Sequence, residues 1–121
     1  MKKAFRLKGR RDFQQVVTAR RLISTATLVG FAQPGRSTRS RLGVGASRRI
    51  GGSVQRNRAR RRLREALRLS LRPDGSLSGA PGIKVDMVLI ARPALLQVGF
   101  AEILADVAAL AARLRARSGR P

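Results

Sequence analysis

Apolar residues recur along the chain at two different spacings, one typical of helices and one typical of strands. The clearest helical repeat covers residues 99–117, where a large apolar residue returns every three or four positions. Weaker repeats of the same kind cover residues 53–71 and 9–20. In the first of the three segments along the chain, the apolar positions on one side are Phe13, Val16 and Val17. The pattern predicts three amphipathic helices, and the last of them serves core packing.

Three other apolar runs have the length and residue types of strands. Thr25–Gln33 and Arg41–Ser47 are β-prone and are separated by the turn-rich segment PGRSTRS, so we predict that they pair as a hairpin. Lys84–Ala91 is an almost unbroken apolar run, which predicts a strand covered on both faces in the interior of a sheet. Residues 1–8 are basic, and Phe5 and Leu7 are candidates to dock on that sheet.

The order of the elements is helix, strand, strand, helix, strand, helix, which predicts an α+β sandwich with helices packed on one sheet. The length of 121 residues suits a single domain, residues 1–121, with one modest core. Residues 73–82, PDGSLSGAPG, predict a mobile loop, and we expect the tail 118–121 to be mobile as well.

The central helix carries an unusual density of arginine. Nine of the 23 arginines lie between Arg48 and Arg68. With 100° per residue, one side of this helix is apolar or small: Ala59, Leu63, Ala66, Leu67 and Ser70. The opposite side carries Arg58, Arg61, Arg64, Arg68 and Arg72, with Glu65 among them. Glycines precede the segment, and Ser53 is the predicted N-cap.

Such a face is either a solvated surface or a binding surface for a polyanion. A single acid among so many arginines leaves the face self-repelling, and a polyanion relieves that repulsion. The formal net charge is +21, and arginine outnumbers lysine 23 to 4. Guanidinium groups bind phosphate in a bidentate manner and stack on bases, so the bias favours nucleic acid, although a GC-rich genome also enriches arginine.

Several function classes are excluded by the residues that are missing. The sequence has no Cys and no His, which removes thiol nucleophiles, zinc sites and histidine acid–base chemistry. The six acidic residues are scattered and show no paired spacing that would hold catalytic metals. We therefore predict no catalytic residue and no metal site on the protein. No signal peptide and no run of about 20 apolar residues is present, so we expect a soluble cytoplasmic protein that does not enter a membrane.

At residues 47–65 the string S-R-R-I-G-x-x-V-x-R-N-R-A-R-R-x-L-R-E resembles the signature of the bacterial ribonuclease P protein subunit. Two flanking segments support the resemblance: R-L-x-x-x-x-D-F-Q at residues 6–14 and V-L-I-A-R-P at residues 88–93. Together the three segments cover most of the domain in the order expected for the family.

The resemblance implies a two-layer α/β sandwich like domain 2 of ribosomal protein S5, with one mixed sheet and three helices. It also implies a left-handed crossover in which the arginine helix joins two parallel strands. The implied partners are the catalytic RNA, which carries the Mg²⁺ ions, and precursor tRNA, whose 5′ leader the RNA removes. The protein would be an accessory subunit without a cofactor of its own or an obligatory protein partner.

Site residues follow from the resemblance position by position. The residues that match the motif and its basic pair, and would contact RNA, are Arg48, Arg49, Arg56, Asn57, Arg58, Arg60, Arg61 and Arg64. Arg68, farther along the arginine-bearing side of the same helix, is also predicted to contact RNA. Phe13 matches the aromatic residue of a cleft that receives the single-stranded leader. Val17 and Val29 stand in that cleft where many members carry further aromatic residues, so we expect thinner base stacking and more electrostatic affinity here.

Some assignments stay open on sequence grounds. The Asn57 amide is either a polar contact to RNA or a device that fixes the junction of loop and helix. Arg62 lies toward the side of the helix and is assigned a general electrostatic role. Two rival functions are a ribosomal or other rRNA-binding structural protein and an autonomous basic nuclease. The nuclease lacks a credible base or metal cage.

Overall fold

The computed structural model describes residues 9–18, 21–34 and 40–118, which form one mixed four-stranded sheet and three α-helices. In chain order the elements are α1 (Gly9–Val17), β1 (Arg21–Ser24), β2 (Leu28–Pro34), β3 (Arg41–Ala46), α2 (Ser53–Leu69), β4 (Val85–Ala91) and α3 (Phe100–Ser118). The predicted α+β class is confirmed. The expected docking of Phe5 and Leu7 falls outside the described residues, as does most of the tail.

The strands lie in the order β1-β2-β4-β3, with β4 antiparallel to β2 and parallel to β3. The interior position predicted for the run Lys84–Ala91 is confirmed. The predicted hairpin between Thr25–Gln33 and Arg41–Ser47 is wrong, because β4 lies between the two strands that these runs form. The reason is that the apolar strand β4 is buried in the interior of the sheet, where its backbone groups need a pairing strand on each edge.

The hairpin of this fold is formed by β1 and β2, and the sequence pattern did not reveal β1. Its turn is stabilised by Thr25, whose backbone N–H donates to the Leu28 carbonyl at 2.8 Å and whose hydroxyl oxygen accepts from the Leu28 N–H at 3.1 Å. The register shifts between Arg21 and Ile23, which marks a β-bulge: Arg21 pairs with Phe31, whereas Ile23 pairs with Gly30.

One face of the sheet carries the main core with α2 and α3. Register places Gly30 opposite Leu89, and a Cβ on Gly30 would lie 2.6 Å from Leu110 of α3, so glycine here admits the leucine. The largest fully buried side chains of this core are Leu28, Leu42, Leu63, Leu67, Met87, Leu89, Leu95, Ile103, Leu110 and Val107. Both helices therefore use the apolar stripes that the sequence predicted.

The other face of the sheet is partly covered by α1, which contacts β2 and β4. The Phe13 ring lies over Gly45 of β3, and Val16 is fully buried. Asp86 of β4 is also fully buried on this side and forms a two-point ion pair with Arg41, with N–O distances of 3.1 and 2.7 Å. A buried carboxylate requires such a partner, because desolvation without one would be costly.

The arginine-rich helix α2 connects the neighbouring parallel strands β3 and β4, as the resemblance implied; the handedness of the crossover stays a prediction. Its N-cap is Gly52 and not Ser53, and no side chain caps the helix. Ser53 is instead the first helical residue, because the extended conformation required at the cap falls one residue earlier. At the other end, Ser70 is the C-cap.

Residues 73–82 contain no helix or strand element, in agreement with their composition, and their mobility stays a prediction. The segment is nevertheless anchored: Leu77 and Ala80 are buried, and the Ser76 hydroxyl donates to Asp74 at 2.6 Å. A Cβ on Gly79 would lie 2.9 Å from Ala111 of α3, so the loop packs closely on that helix. Across the described ranges, no helix combines the length and apolarity that a membrane crossing needs.

Candidate nucleic-acid interface

Helix α2 packs one side against the core, and its arginines lie on the remaining surface of the helix. Ala59, Leu63, Ala66 and Leu67 are all completely buried, which confirms the apolar stripe expected there. Ser70 follows on the same stripe and donates its hydroxyl to the Ala66 carbonyl at 2.8 Å. Packing of this stripe fixes the rotation of the helix about its axis, and so it decides where each arginine points.

We call the predicted RNA-contacting arginines together the arginine face: Arg48, Arg49, Arg56, Arg58, Arg60, Arg61, Arg64 and Arg68. Five of them are exposed, namely Arg48, Arg49, Arg58, Arg61 and Arg68, and the other three are half-buried. Because six of the eight stand on one rigid helix, their guanidinium groups can meet an array of phosphates with little loss of conformational entropy.

The entry to α2 is shaped by a 3₁₀ turn and a glycine. The Ser47 hydroxyl accepts from the Arg49 N–H at 3.2 Å and caps the turn Arg48–Ile50. Gly51 then adopts φ 135°, a conformation that side chains disfavour. The first turn of α2 contains no acidic residue, so the positive end of the helix dipole adds to the charge of the arginine face.

Asn57 lies exposed on α2 and accepts a hydrogen bond from the Arg60 guanidinium. This contact lies within one helix and spans three residues, so among the described residues Asn57 orients an arginine of the arginine face. Contact of Asn57 with RNA stays a prediction.

Arg62 makes contacts that its neighbours do not make, and the general electrostatic role assigned from sequence stays a prediction. Its guanidinium donates to the Leu95 carbonyl at 2.7 Å and to the Val98 carbonyl at 2.9 Å. It thereby ties α2 to the segment that leads from β4 into α3. The partners are backbone carbonyls 33 and 36 residues away, so no local sequence signal identifies them.

Arg68 forms an ion pair with Glu65, which lies three residues earlier on α2. The guanidinium donates to both carboxylate oxygens, at 3.0 and 2.6 Å. This hydrogen bond lowers the pKa of the Glu65 carboxyl and raises the pKa of Arg68, so both groups are charged at neutral pH. The pair is exposed, and a phosphate would have to compete with Glu65 for Arg68.

A groove of about 560 Å³ opens on the face of the sheet that α1 only partly covers, and we call it the sheet groove. Its floor includes the apolar side chains of Val29, Phe31 and Ile90, which register places on one face. Arginines at its margin are Arg21, Arg49 and Arg92. An apolar floor with guanidinium groups around it suits single-stranded RNA, whose bases stack while its phosphates pair with cations.

Of the three predicted cleft residues, Val29 lines the sheet groove and Phe13 stands beside it. The Phe13 ring lies over Gly45, whose register partner is Ile90 on the groove floor. Val17 is half-buried on α1 and does not line the groove within the described residues. Phe31 also lines the groove but was not among the predicted cleft residues. It follows Val29 by two residues in β2, so strand alternation places both on the same face.

Arg92 couples the sheet groove to the β1–β2 turn. Its guanidinium donates to the Thr25 carbonyl at 2.8 Å and to the Ser24 hydroxyl at 3.1 Å. Its backbone N–H donates to the Thr27 carbonyl at 2.8 Å. The margin of the groove is therefore held at a fixed distance from the end of β4.

Four of the five acidic side chains that the structure describes are bonded, each to a different partner, and the fifth, Glu102, is exposed on the first turn of α3. Asp86 pairs with Arg41, Glu65 pairs with Arg68, and the Asp106 carboxylate accepts from the Thr27 hydroxyl at 2.5 Å. Bonds from the Ser76 side chain and backbone lower the pKa of Asp74, which keeps that carboxylate ionised. Each of these bonded acids thus stabilises its own part of the fold.

Comparison with known proteins shows a family and a fold for this chain. The family described as Ribonuclease P matches residues 1–115. The chain belongs to the ribonuclease P protein family. It is 42% identical over 120 residues to the ribonuclease P protein component of Roseiflexus castenholzii, covering 98% of this chain and 89% of that protein. It is 40% identical over 106 residues to that of Symbiobacterium thermophilum, covering 85% and 84% of the two chains.

Solved structures of the family share the fold. The ribonuclease P protein from Thermotoga maritima has a TM-score of 0.69 at 25% identity and covers 89% of this chain and 96% of its own. The Staphylococcus aureus protein at 2.0 Å has a TM-score of 0.68 at 22% identity, with coverage of 89% and 93%. Membership of the family identifies the chain as a subunit of an endoribonuclease and does not favour the ribosomal alternative.

Proposed function

We propose that this ribonuclease P protein component binds the catalytic RNA through the arginine face and the single-stranded 5′ leader of precursor tRNA through the sheet groove. The observation that carries the proposal is the shared position of Arg49, which belongs to the arginine face and also lines the groove. One rigid domain thus presents a surface for structured RNA next to a groove for a single strand.

In this proposal the protein supplies binding and the RNA supplies catalysis. Arginines on α2 neutralise phosphates where the catalytic RNA and its substrate approach each other, which lowers their mutual repulsion. The groove holds the leader against Phe31 and its neighbours, which positions the adjoining cleavage site. Cleavage then gives the mature 5′ end of the tRNA.

Magnesium belongs to the RNA in this scheme. Four of the described carboxylates are individually bonded to Arg41, Arg68, Ser76 and Thr27, and the described residues contain no cluster of three acidic side chains that could hold a metal ion. We therefore derive no step through a protein-bound ion. The proposed setting is the cytoplasm, with the catalytic RNA and precursor tRNA as partners and without an obligatory protein partner or a membrane.

The test is a cleavage assay with precursor tRNA at low magnesium concentration. Three reactions are compared: protein alone, catalytic RNA alone, and both together. We expect no cleavage by the protein, slow cleavage by the RNA, and a raised turnover with both. Cleavage by a contaminant-free protein without RNA would contradict the accessory role, and an unchanged turnover of the RNA would contradict the subunit assignment.

A further inference from the structure

A second groove lies on the opposite side of β1 from the sheet groove, between this edge strand and α3. It encloses about 720 Å³, and we call it the edge groove. From β1, Leu22 and Ile23 line the edge groove. From α3, it is lined by three alanines at helical spacing, Ala109, Ala112 and Ala116. The small side chains leave space for an extended chain beside the strand.

The edge groove is cationic. Arg21 from β1 and Arg113 and Arg117 from α3 line it, all three are exposed, and its described lining includes no acidic side chain. Arg113 and Arg117 are one helical turn apart, so their charges repel each other when no anion is present. The acid that precedes them on α3, Asp106, is bonded to Thr27. The chemistry of the groove therefore suits phosphate groups.

Arg21 joins the two grooves, since it lines both of them. The β-bulge explains how one strand serves both sides: Arg21 pairs with Phe31 of the sheet-groove floor, and Ile23, two residues later, pairs with Gly30 on the α3 side. Without the bulge, residues two apart would face the same side. In the described part of the chain, β1 has only β2 as a strand neighbour, so no described strand pairs with its outer edge.

We propose that the leader path continues from the sheet groove around Arg21 into the edge groove, where Arg113 and Arg117 bind phosphates of nucleotides farther upstream. The inference rests on the proposed function, because it extends the binding site for the same single strand. The occupant is single-stranded RNA: the cations are spaced along a narrow channel with an apolar wall, and Arg21 makes that channel continuous with the groove assigned to the leader.

The experiment measures the affinity of the reconstituted holoenzyme for precursor tRNAs with short and long leaders. The variants are Arg113→Gln and Arg117→Gln. The matched control is Arg115→Gln, which removes the same charge from the same helix; Arg115 lines the neighbouring cavity beside Gly79 and does not line the edge groove. We expect each edge-groove variant to weaken binding of the long leader by about tenfold, the size of one good contact to a charged group. Binding of the short leader should change by less than about twofold.

A cross-linking measurement supports the affinities independently. The chain has no cysteine, so Ala109→Cys gives a single attachment point for a photoactivated probe at a residue that lines the edge groove and not the cavity beside Gly79. Cross-links should fall in the leader, upstream of those obtained from a probe at position 29 in the sheet groove. All substituted positions on α3 are exposed, so melting temperatures should match that of the wild-type protein.

Two results would overturn the proposal. Edge-groove variants that behave like Arg115→Gln with every leader would show that the groove does not bind the leader. Equal weakening for short, long and absent leaders, with cross-links to the catalytic RNA, would assign the groove to that RNA instead. A failure of the proposed function is distinguishable, because the wild-type protein itself would then not raise the turnover of the catalytic RNA.

Discussion

The Phe13 ring of α1 lies so close over Gly45 of β3 that its Cζ atom is 3.1 Å from the position a Cβ on that glycine would occupy. A larger residue at this position must therefore displace the ring and the helix that carries it. We expect Gly45→Val to reduce the free energy of unfolding by ~1–3 kcal/mol, the usual cost of overpacking, as measured by urea denaturation.

A double-mutant cycle tests the cause of that loss. In the Phe13→Ala background the ring is absent, so Gly45→Val should cost much less than in the wild-type protein. An equal cost in both backgrounds would show that the valine is disfavoured by the strand itself and not by contact with α1.

Phe31 is the aromatic residue on the floor of the sheet groove. We expect Phe31→Ala to weaken binding of precursor tRNA by ~1–3 kcal/mol, because a base loses its stacking partner, and to leave binding of mature tRNA unchanged. Phe31→Tyr should retain most of the affinity. Equal weakening of both RNAs, together with a lower melting temperature, would assign Phe31 to packing alone.

Arg61 and Arg62 are neighbours in sequence with separate roles. Arg61 is exposed on the arginine face, so Arg61→Ala should weaken binding to the catalytic RNA by ~1–3 kcal/mol. The slope of log K against log salt should flatten by about 0.7–0.9, because one phosphate fewer is neutralised. The melting temperature should stay nearly unchanged.

Arg62→Ala should show the opposite behaviour, since its guanidinium bonds the Leu95 and Val98 carbonyls. We expect a loss of ~1.5–3 kcal/mol in the free energy of unfolding and an unchanged salt slope for the folded fraction. The fully buried Leu63 provides a stability control on the same helix, because Leu63→Ala should cost ~2–5 kcal/mol. A flatter salt slope of RNA binding for Arg62→Ala would instead support the electrostatic role that the sequence predicts for Arg62.

Glu65 holds Arg68 in a two-point ion pair at the exposed end of α2. In the Glu65→Gln variant Arg68 loses a charged partner and gains freedom to bind phosphate. We expect a salt slope for RNA binding that is steeper by about 0.7–0.9 and a higher affinity at low salt. A lower affinity would mean that Glu65 positions Arg68 for RNA and does not compete with it.

Anions should stabilise the free protein, because a net charge of +21 opposes the compact state. Sulfate or phosphate should raise the melting temperature more than chloride at equal ionic strength, since bound ligands stabilise the folded state by mass action. The effect should shrink in a variant that lacks Arg58 and Arg61. Equal melting temperatures in sulfate and chloride would argue against specific anion sites on the arginine face.

The local periodicity of the sequence predicted most elements, and the errors have physical causes. Helical spacing revealed the buried stripe of α2 and the whole of α3, because one face of each helix must be apolar. The pairing of β2 with β3 was predicted from the turn between them, yet strand partners are chosen by burial, and β4 needs a neighbour on both edges. The four-residue strand β1 was missed because its sequence, RLIS, is too short to show alternation.

The candidate site was predictable where it lies on one helix and unpredictable where it depends on tertiary contacts. The spacing of the motif placed six arginines on α2, and the pairing of Glu65 with Arg68 follows from their separation of three residues. The partners of Arg62 and the passage from the sheet groove to the edge groove join segments far apart in sequence. Such relationships appear only once the sheet has brought those segments together.

Because β4 lies between β2 and β3, the sheet cannot be completed until β4 has been synthesised. Until Val85–Ala91 has left the ribosome, β1 and β2 can form their hairpin, but the other edge of β2 is unpaired and β3 lacks its partner β4. At about 5–20 residues per second, the arginine-rich segment is therefore exposed to cellular RNA for seconds before the sheet closes behind it. RNA that binds the nascent chain nonspecifically in that interval would oppose folding, whereas after β4 has paired the arginines meet RNA from the surface of a folded domain.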